Sequence, residues 1–413
     1  MRGLRGLFSR ASLICLIVFA SADLLVLFTR STWIGFLGYT PEWANAGLYV
    51  ASPLIAGASA FLTRVYLSPE LVAITRGRGL GPSIRTIASA WVRMVVLALI
   101  GHAAVMLIAL LVSAFFGASG AIPWAPFVYA VMPISMACAI GVALAAIFPH
   151  VWSSGLAILT TYGLWYVVVI SDAAIPADIG GATISLAGLQ YRLSTLLILL
   201  AAAAVVTATF LTVAVLAVRR QSFPRSLTAF AVACFCLVLV GTVAGGHTSG
   251  ATFEPSQQVD FVCEGSAPRI CLTVDHSARL SEVAAAVQRA AQPLRDAGVD
   301  METLTLREGW GEGQAHPDGE LLLGFGQLNG IGVTESDYAY ALLQPASCAD
   351  YFVEEPTPQL ERLFTAAQLL AEWLDAERAG TEPSLTDDRA RELYDALRAC
   401  SVDEELVDDV DPQ

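Results

Sequence analysis

The chain contains no lysine: all 23 basic side chains among its 413 residues are arginine. A Walker A loop needs Gly-Lys followed by Ser or Thr to hold phosphate, so this polypeptide is not a conventional P-loop ATPase, and any ATP-driven role borrows its motor from a partner. Charge is also scarce over the first 250 residues, where 13 arginines face five acids, Asp23, Glu42, Glu70, Asp172 and Asp178. Polar helix faces are almost absent between residues 88 and 248, which argues against a set of buried soluble helices. Catalytic and metal signatures are missing as well: there is no CxxC, no HExxH and no GxSxG.

Seven apolar stretches fill that first part, at residues 11–28, 44–63, 89–115, 126–148, 152–170, 193–218 and 227–245. A bilayer core of about 30 Å needs roughly 20 mostly apolar helical residues, so each predicts a membrane span. Arginines cluster at Arg2, Arg5 and Arg10, at Arg64, Arg76, Arg78, Arg85 and Arg93, and at Arg219, Arg220 and Arg225. The positive-inside rule makes these clusters cytoplasmic, and an odd number of spans then places the C-terminal part outside. Only the turn at Pro149 and His150 is too short to bear on this. No small-x-small cleavage site follows the first span, so it reads as a retained helix with a cytoplasmic amino terminus.

Two segments between spans stand out. In 68–75, Ser68 caps, Pro69 takes the first helical position and Glu70 the first turn, followed by Leu71, Ile74 and Arg76; Gly77, Gly79, Gly81 and Pro82 end this short cytoplasmic helix before a second start at Ser83. A basic anchor held by anionic headgroups is the simpler reading of the same arginines. Residues 172–190, with Pro176, Gly180 and Gly181 among isoleucines, fit a re-entrant or interface-bound element, anchored by Tyr191 and Arg192. Pro53 and Pro133 are expected to kink their helices, and Gly57, Gly141, Gly155 and Gly163 to allow close helix contact. Asp23 is expected near the outer interface. His102, in the middle of the third span, is expected to stay neutral and packed, capped by a hydroxyl or a backbone oxygen. The spans offer no series of carboxylates or histidines for a proton relay, which disfavours ion-coupled transport.

Residues 251–413 change character, with 10 arginines against 32 acids. That acidity keeps a domain soluble and repels nucleic acid. Candidate strands at 259–262, 270–274, 301–306 and 321–325 and helices at 277–297, 358–379 and 386–400 predict a mixed α/β domain over 249–402, and 403–413 reads as an acidic disordered tail. Its four cysteines predict two disulfides, with three connectivities open. The hairpin spacing favours Cys263 with Cys271, leaving Cys348 for Cys400; a four-cysteine zinc site is the competing reading. His276 beside Asp275, and His316 in a His-Pro-Asp-Gly turn, do not form a catalytic set, and Gly309, Gly311 and Gly313 are no dinucleotide fingerprint, so no enzyme activity is expected.

The fold class expected is a polytopic all-α transmembrane bundle of about seven helices with a C-terminal mixed α/β extracytoplasmic domain. In order of spans and loops, residues 1–220 resemble the membrane subunit of a type-2 ABC transporter. The outer loop 31–43, the helix at 68–75 and the outer element at 172–190 stand where that family has an external loop, a coupling helix and short external helices. The stretch from Cys263 to Cys271 with Asp275, His276 and a following amphipathic helix is similar to external domains of actinobacterial ABC permeases. The seventh span, in 221–248, and the external domain depart from the minimal family pattern. The resemblance implies a plasma-membrane permease subunit, an exporter, with no cofactor of its own and ATP on separate cytoplasmic ATPase subunits. It also implies pairing with a second copy or a related subunit. A membrane-anchored sensor or scaffold is the alternative, and lipid, peptide and drug-like solutes all remain open.

Overall fold

The computed structural model of the chain describes residues 10–29, 33–67, 80–116, 118, 120–170, 189–219, 223–248, 253–255, 260–308, 320–323, 334–344, 348 and 357–408. It is mostly helical. Helices occupy all seven apolar segments: α1 (Arg10–Leu27), α3 (Leu48–Tyr66), α4 (Leu80–Phe115), α5 (Ala125–Ile147), α6 (Trp152–Ile170), α7 (Leu193–Arg219) and α8 (Phe223–Thr248), with a short α2 (Thr40–Ala46) before α3. Among the described residues, five of these, α1, α3, α4, α5 and α7, are long and apolar enough to cross a membrane, and α8 contains the shorter apolar stretch Pro224–Leu239.

Successive helices run in opposite directions. Side-chain contacts gather the C-terminal end of α1, both ends of α2 and the starts of α3, α5 and α7 at one end of the bundle, called here the distal end. The opposite end carries Arg64, Arg85 and Arg219. There, Arg93 of α4 lies 5.3 Å over the Tyr66 ring that closes α3.

The bundle is organised around α5, buried along almost its whole length. Lipid and apolar side chains are equally oily, so helices associate here through close backbone approach. A side chain at Gly141 of α5 would place its Cβ 2.2 Å from the Ala56 carbonyl oxygen of α3. Ser59 of α3 donates to the Cys138 carbonyl at 3.0 Å along the same seam. Gly57, on another face of α3, lets Ile158 of α6 approach within 2.7 Å of where a Cβ would stand. Gly155 and Gly163, expected to do the same, have nothing within 4 Å, because they lie away from the neighbouring helices. Pro53 and Pro133 sit inside continuous helices. α4 starts at Leu80 and not at Ser83. Its Pro82 falls in the first turn, where a missing N–H breaks no intrahelical bond, and Thr86 donates back to the Pro82 carbonyl at 2.9 Å.

Beyond the helices, β1 (Leu189–Tyr191) pairs antiparallel with β2 (Phe253–Pro255), tying the start of α7 to the chain leaving α8. Leu189 and Gln190, assigned from sequence to a re-entrant element, are thus strand residues; residues 172–188 of that element lie outside the described residues. A mixed sheet follows, in the order β3 (Phe261–Glu264), β4 (Arg269–Thr273), β5 (Thr305–Glu308) and β6 (Glu320–Leu323), with β3 antiparallel and the others parallel. β5 starts later than expected because Asp300 Oδ1 accepts from the Glu302 N–H and turns residues 300–304. The helix expected over 277–297 divides into a 3-10 segment (Val274–Arg279), α9 (Leu280–Ala290) and α10 (Gln292–Asp296). Pro293 is the reason, since it can enter only in the first turn of a new helix. α9 packs on β3 and β4, α11 (Glu335–Leu343) on α9 and β6, α12 (Pro358–Ala379) on α11, and α13 (Asp387–Arg398) on α12. The start of the expected acidic tail is not irregular: after the buried Val402, α14 (Glu404–Asp408) packs Leu406 and Val407 against the core, and residues 409–413 lie outside the described residues.

The glycine seam yields a contrast. Gly141→Val is expected to destabilise the detergent-solubilised protein by about 1–3 kcal/mol, the usual cost of overpacking, while Gly163→Ala has no such effect. Equal melting temperatures for the two variants would remove the seam from its organising place.

Candidate functional site

The distal end holds a polar centre inside an apolar bundle. Asp23 of α1 and Asn45 of α2 are 0% exposed and His102 of α4 is 2% exposed. Asp23 Oδ2 lies 2.7 Å from His102 Nδ1, His102 Nε2 lies 3.1 Å from Asn45 Oδ1, and Asn45 Nδ2 donates to the Pro126 carbonyl of α5 at 2.9 Å. Four helices meet in these three bonds. Gly47 makes the approach of α1 possible, since a Cβ there would fall 2.0 Å from Asp23 Oδ1. The partner expected for His102, a hydroxyl or backbone oxygen, is therefore a carboxylate together with an amide. Asp23, expected near the outer interface, is instead enclosed. Nearness in sequence to the end of α1 was misleading because residues 33–46 fold back over that end.

Those residues form a cap. Thr40 Oγ1 lies 2.7 Å from Ser113 Oγ of α4, Ser113 donates to the Trp33 carbonyl at 3.1 Å, and Trp33 Nε1 donates to the Leu27 carbonyl at 2.9 Å. α4 therefore rises past the starts of its neighbours, and its 36 residues, about 54 Å at 1.5 Å each, exceed a bilayer core of about 30 Å. Glu42 on the same short α2 is buried and accepts a hydrogen bond from the Tyr191 hydroxyl of β1, with the Tyr129 ring of α5 6.0 Å from that of Tyr191. Burial pushes the Glu42 carboxyl up to about 7 even though the Tyr191 bond works the other way, and burial, with Glu42 beside it, raises Tyr191 in turn. Arg192, placed as a headgroup anchor, pairs with Glu254 of β2 at 3.6 Å.

A second buried pair faces this cap from the C-terminal domain. His276 Nδ1 lies 2.5 Å from Glu308 Oε1, and Glu308 Oε2 accepts from the Thr273 N–H and hydroxyl, each at 2.9 Å. Burial opposes ionisation of Glu308, but these donors outweigh it and hold its carboxyl below the usual range. The His276 ring packs edge-on against Phe36 of the cap with centroids 4.4 Å apart, and Arg279 stands 6.0 Å over the same Phe36 ring. Thr273, the hydroxyl of this set, is held by Glu308, and the pair orients the His276 ring at this contact. A cleft of about 120 Å³ between α9 and α11 is lined by Arg279, Glu282, Arg289, Thr334, Glu335 and Tyr338. Its arginines pair with its own glutamates.

Both expected disulfides are present. Cys263 and Cys271 are directly opposed in the β3–β4 register with Cα atoms 4.1 Å apart, and Cys348 joins Cys400 across 52 residues. The four thiols are thus engaged in bridges and not in a zinc site. On a chain-entropy estimate the long bridge stabilises by about 4 kcal/mol and the short one by about 2.5 kcal/mol. The expected coupling segment, Ser68, Pro69, Glu70, Leu71, Ile74 and Arg76, lies outside the described residues, as do His316, the 309–313 glycines and the Asp275 side chain. Sequence reasoning missed Asn45 and Glu308; it counted Glu42 only among the acids and took Tyr191 only as an interface anchor. It also missed α11, whose Thr334 and Asp337 capping box was readable. No known family model, curated protein or solved structure matches this chain.

Glu42 gives a pH prediction. Its carboxyl is raised above the unfolded value of about 4.3, so its protonation stabilises the fold fully below that value, and the gain is lost as pH rises to about 7. Glu42→Gln keeps an acceptor for Tyr191 and should abolish that decline, at most about 1.4 kcal/mol per pH unit. Melting curves between pH 4.5 and 7 test it, and identical slopes in both proteins count against a buried acid.

Proposed function

We propose that this chain is the membrane-spanning permease subunit of an ATP-driven ABC transporter, acting in export and energised by separate cytoplasmic ATPase subunits. It sits in the plasma membrane as a seven-span protein, paired with a second copy or a related subunit, with α6 and α8 completing the spans, the amino terminus cytoplasmic and the C-terminal domain outside. The observation that carries this reading is the polarity of the bundle. Arg64, Arg85 and Arg219 lie at the end opposite the one where the cap, the β1–β2 ribbon and the acidic domain collect. The basic end also borders the 68–79 segment, where a motor would dock, and the distal end is closed by the cap 33–46 beneath the external domain. ATP binding on the partner would draw the coupling segments together and open the bundle at that distal end. This chain carries no chemistry of its own in this reading; its work is conformational.

A membrane-anchored sensor or scaffold is the second reading. The packing of His276 on Phe36 favours it, because a firm seat for the external domain is what an anchor has to provide.

One measurement separates these readings, and a second tests the orientation they share. Leu71→Asp combined with Ile74→Asp should leave expression intact and abolish both copurification of an ATPase and substrate-dependent ATP hydrolysis in membranes. Unchanged association and hydrolysis would leave 68–79 as a basic membrane anchor. Cysteines introduced near Gly120 and in the C-terminal domain should label in intact cells, with positions near Arg78 and Gln221 protected. Labelling at Gln221 without labelling in the C-terminal domain would reverse the orientation.

A further inference from the structure

Asn45 decides the protonation of its neighbours. Its Nδ2 donates at 2.9 Å to the Pro126 carbonyl, which only accepts; turned over, the amide would set its own oxygen against that carbonyl. Oδ1 therefore faces His102 Nε2 at 3.1 Å, and because Oδ1 only accepts, Nε2 carries a hydrogen. The other ring nitrogen, Nδ1, stands 2.7 Å from Asp23 Oδ2. A ring lone pair does not sit that close to a carboxylate oxygen, so a hydrogen lies between them. On Nδ1 it makes an ion pair; on Oδ2 it makes a neutral acid and a neutral imidazole. Both forms have zero net charge, and both hold one proton more than an ionised aspartate beside a neutral histidine.

We propose that Asp23 and His102 form a binding site for a single proton, which clamps α1 to α4 at the distal end and leaves when the bundle opens there. The surroundings favour a proton over a fixed charge. An ionised buried carboxylate is stabilised by two or three donors, whereas Asp23 Oδ1 has no hydrogen-bond partner and is crowded against Gly47. Among the described residues, the other titratable groups at this level include Tyr39, which precedes α2 and packs on Trp43, and Glu42 on α2, Tyr191 on β1 and Tyr129 on α5, which meet one another. Among the described residues, no arginine pairs with Asp23 or His102. Losing the proton leaves a carboxylate facing a ring lone pair in a dry bundle, which forces α1 and α4 apart or draws water in. The site does not depend on the permease reading; it holds for any protein with this bundle.

Unfolding separates the two groups and, in neutral or alkaline solution, gives this proton up to water, so folding is linked to its uptake and stability falls as pH rises. Asp23→Asn replaces the shared hydrogen by an amide N–H donating to Nδ1 of the same neutral, Nε2-protonated ring, so its bonds survive without a titrating proton. The experiment uses the full-length protein carrying Glu42→Gln, to remove the other acid, and follows unfolding between pH 6.5 and 9.5 with a thiol-reactive dye that reports buried cysteines such as Cys138. The melting temperature of the Asp23 protein should fall more steeply with pH than that of the Asp23→Asn protein, the buried thiols contributing equally to both. Parallel profiles would overturn the site. If Asp23→Asn does not assemble, nitrogen-15 NMR of labelled histidine in the Glu42→Gln protein, with His102→Gln to assign the signal, decides at pH 8. A hydrogen on Nε2, with a second shared between Nδ1 and Asp23, supports the site, and a bare Nε2 rejects it.

Discussion

A carboxyl group enclosed in an apolar bundle has to be met by a donor, because leaving it unpaired costs several kcal/mol. That requirement governs the distal end. Asp23 reaches His102 only because Gly47 has no side chain, and His102 is held in one orientation because Asn45 is itself held by the Pro126 carbonyl. The positions of α1, α2, α4 and the start of α5 are therefore set together. Elsewhere the bundle relies on small residues and dispersion, which tolerate sliding; the polar centre does not.

The short α2 carries the consequence outward. Within one and a half turns it presents Thr40 to α4, Glu42 to β1 and Asn45 to His102. Tyr191 belongs to the strand that pairs with β2, the segment leading into the C-terminal domain, and Phe36 just before α2 supports the His276 ring. A displacement of α2 thus disturbs the polar centre, the β1–β2 ribbon and the seat of the C-terminal domain at once. Only seven residues long, it bonds to α4 at Ser113 and at His102 and to β1 at Tyr191.

The helices were readable from sequence because a bilayer demands long apolar runs and an internally bonded backbone; helices fill all seven segments, and five of them, among the described residues, are long and apolar enough to cross. The disulfides were readable from spacing, Cys263 and Cys271 flanking a turn and the other two left to pair. Asp23 and His102 were visible as misplaced polar residues, but not as partners, since 79 residues separate them and neither pattern nor propensity encodes which faces of α1 and α4 meet. Asn45 and Glu42 were hidden for a different reason: Asn45 stands at the start of the expected span 44–63 and Glu42 at the end of the outer loop 31–43, and nothing in either stretch tells which side chains the cap brings to them. Glu308 likewise looked like one acid among many in a strongly acidic domain. Its burial follows from strand alternation, which puts it on the same face of β5 as Leu306, with Leu323 of β6 as its register partner.

The C-terminal domain meets the cap through a braced corner. The Cys263–Cys271 bridge locks the edge hairpin of its sheet, and the Cys348–Cys400 bridge ties Cys348, beyond α11, to the end of α13. Glu308 joins the ends of β4 and β5 to the 3-10 segment bearing His276 and Arg279, and both of those side chains reach the Phe36 ring. The contact therefore rests on a buried carboxylate held by Thr273 and His276, whereas on the chain joining domain to bundle the described regular structure is the three-residue β1–β2 pairing, whose few hydrogen bonds make it the weaker tie.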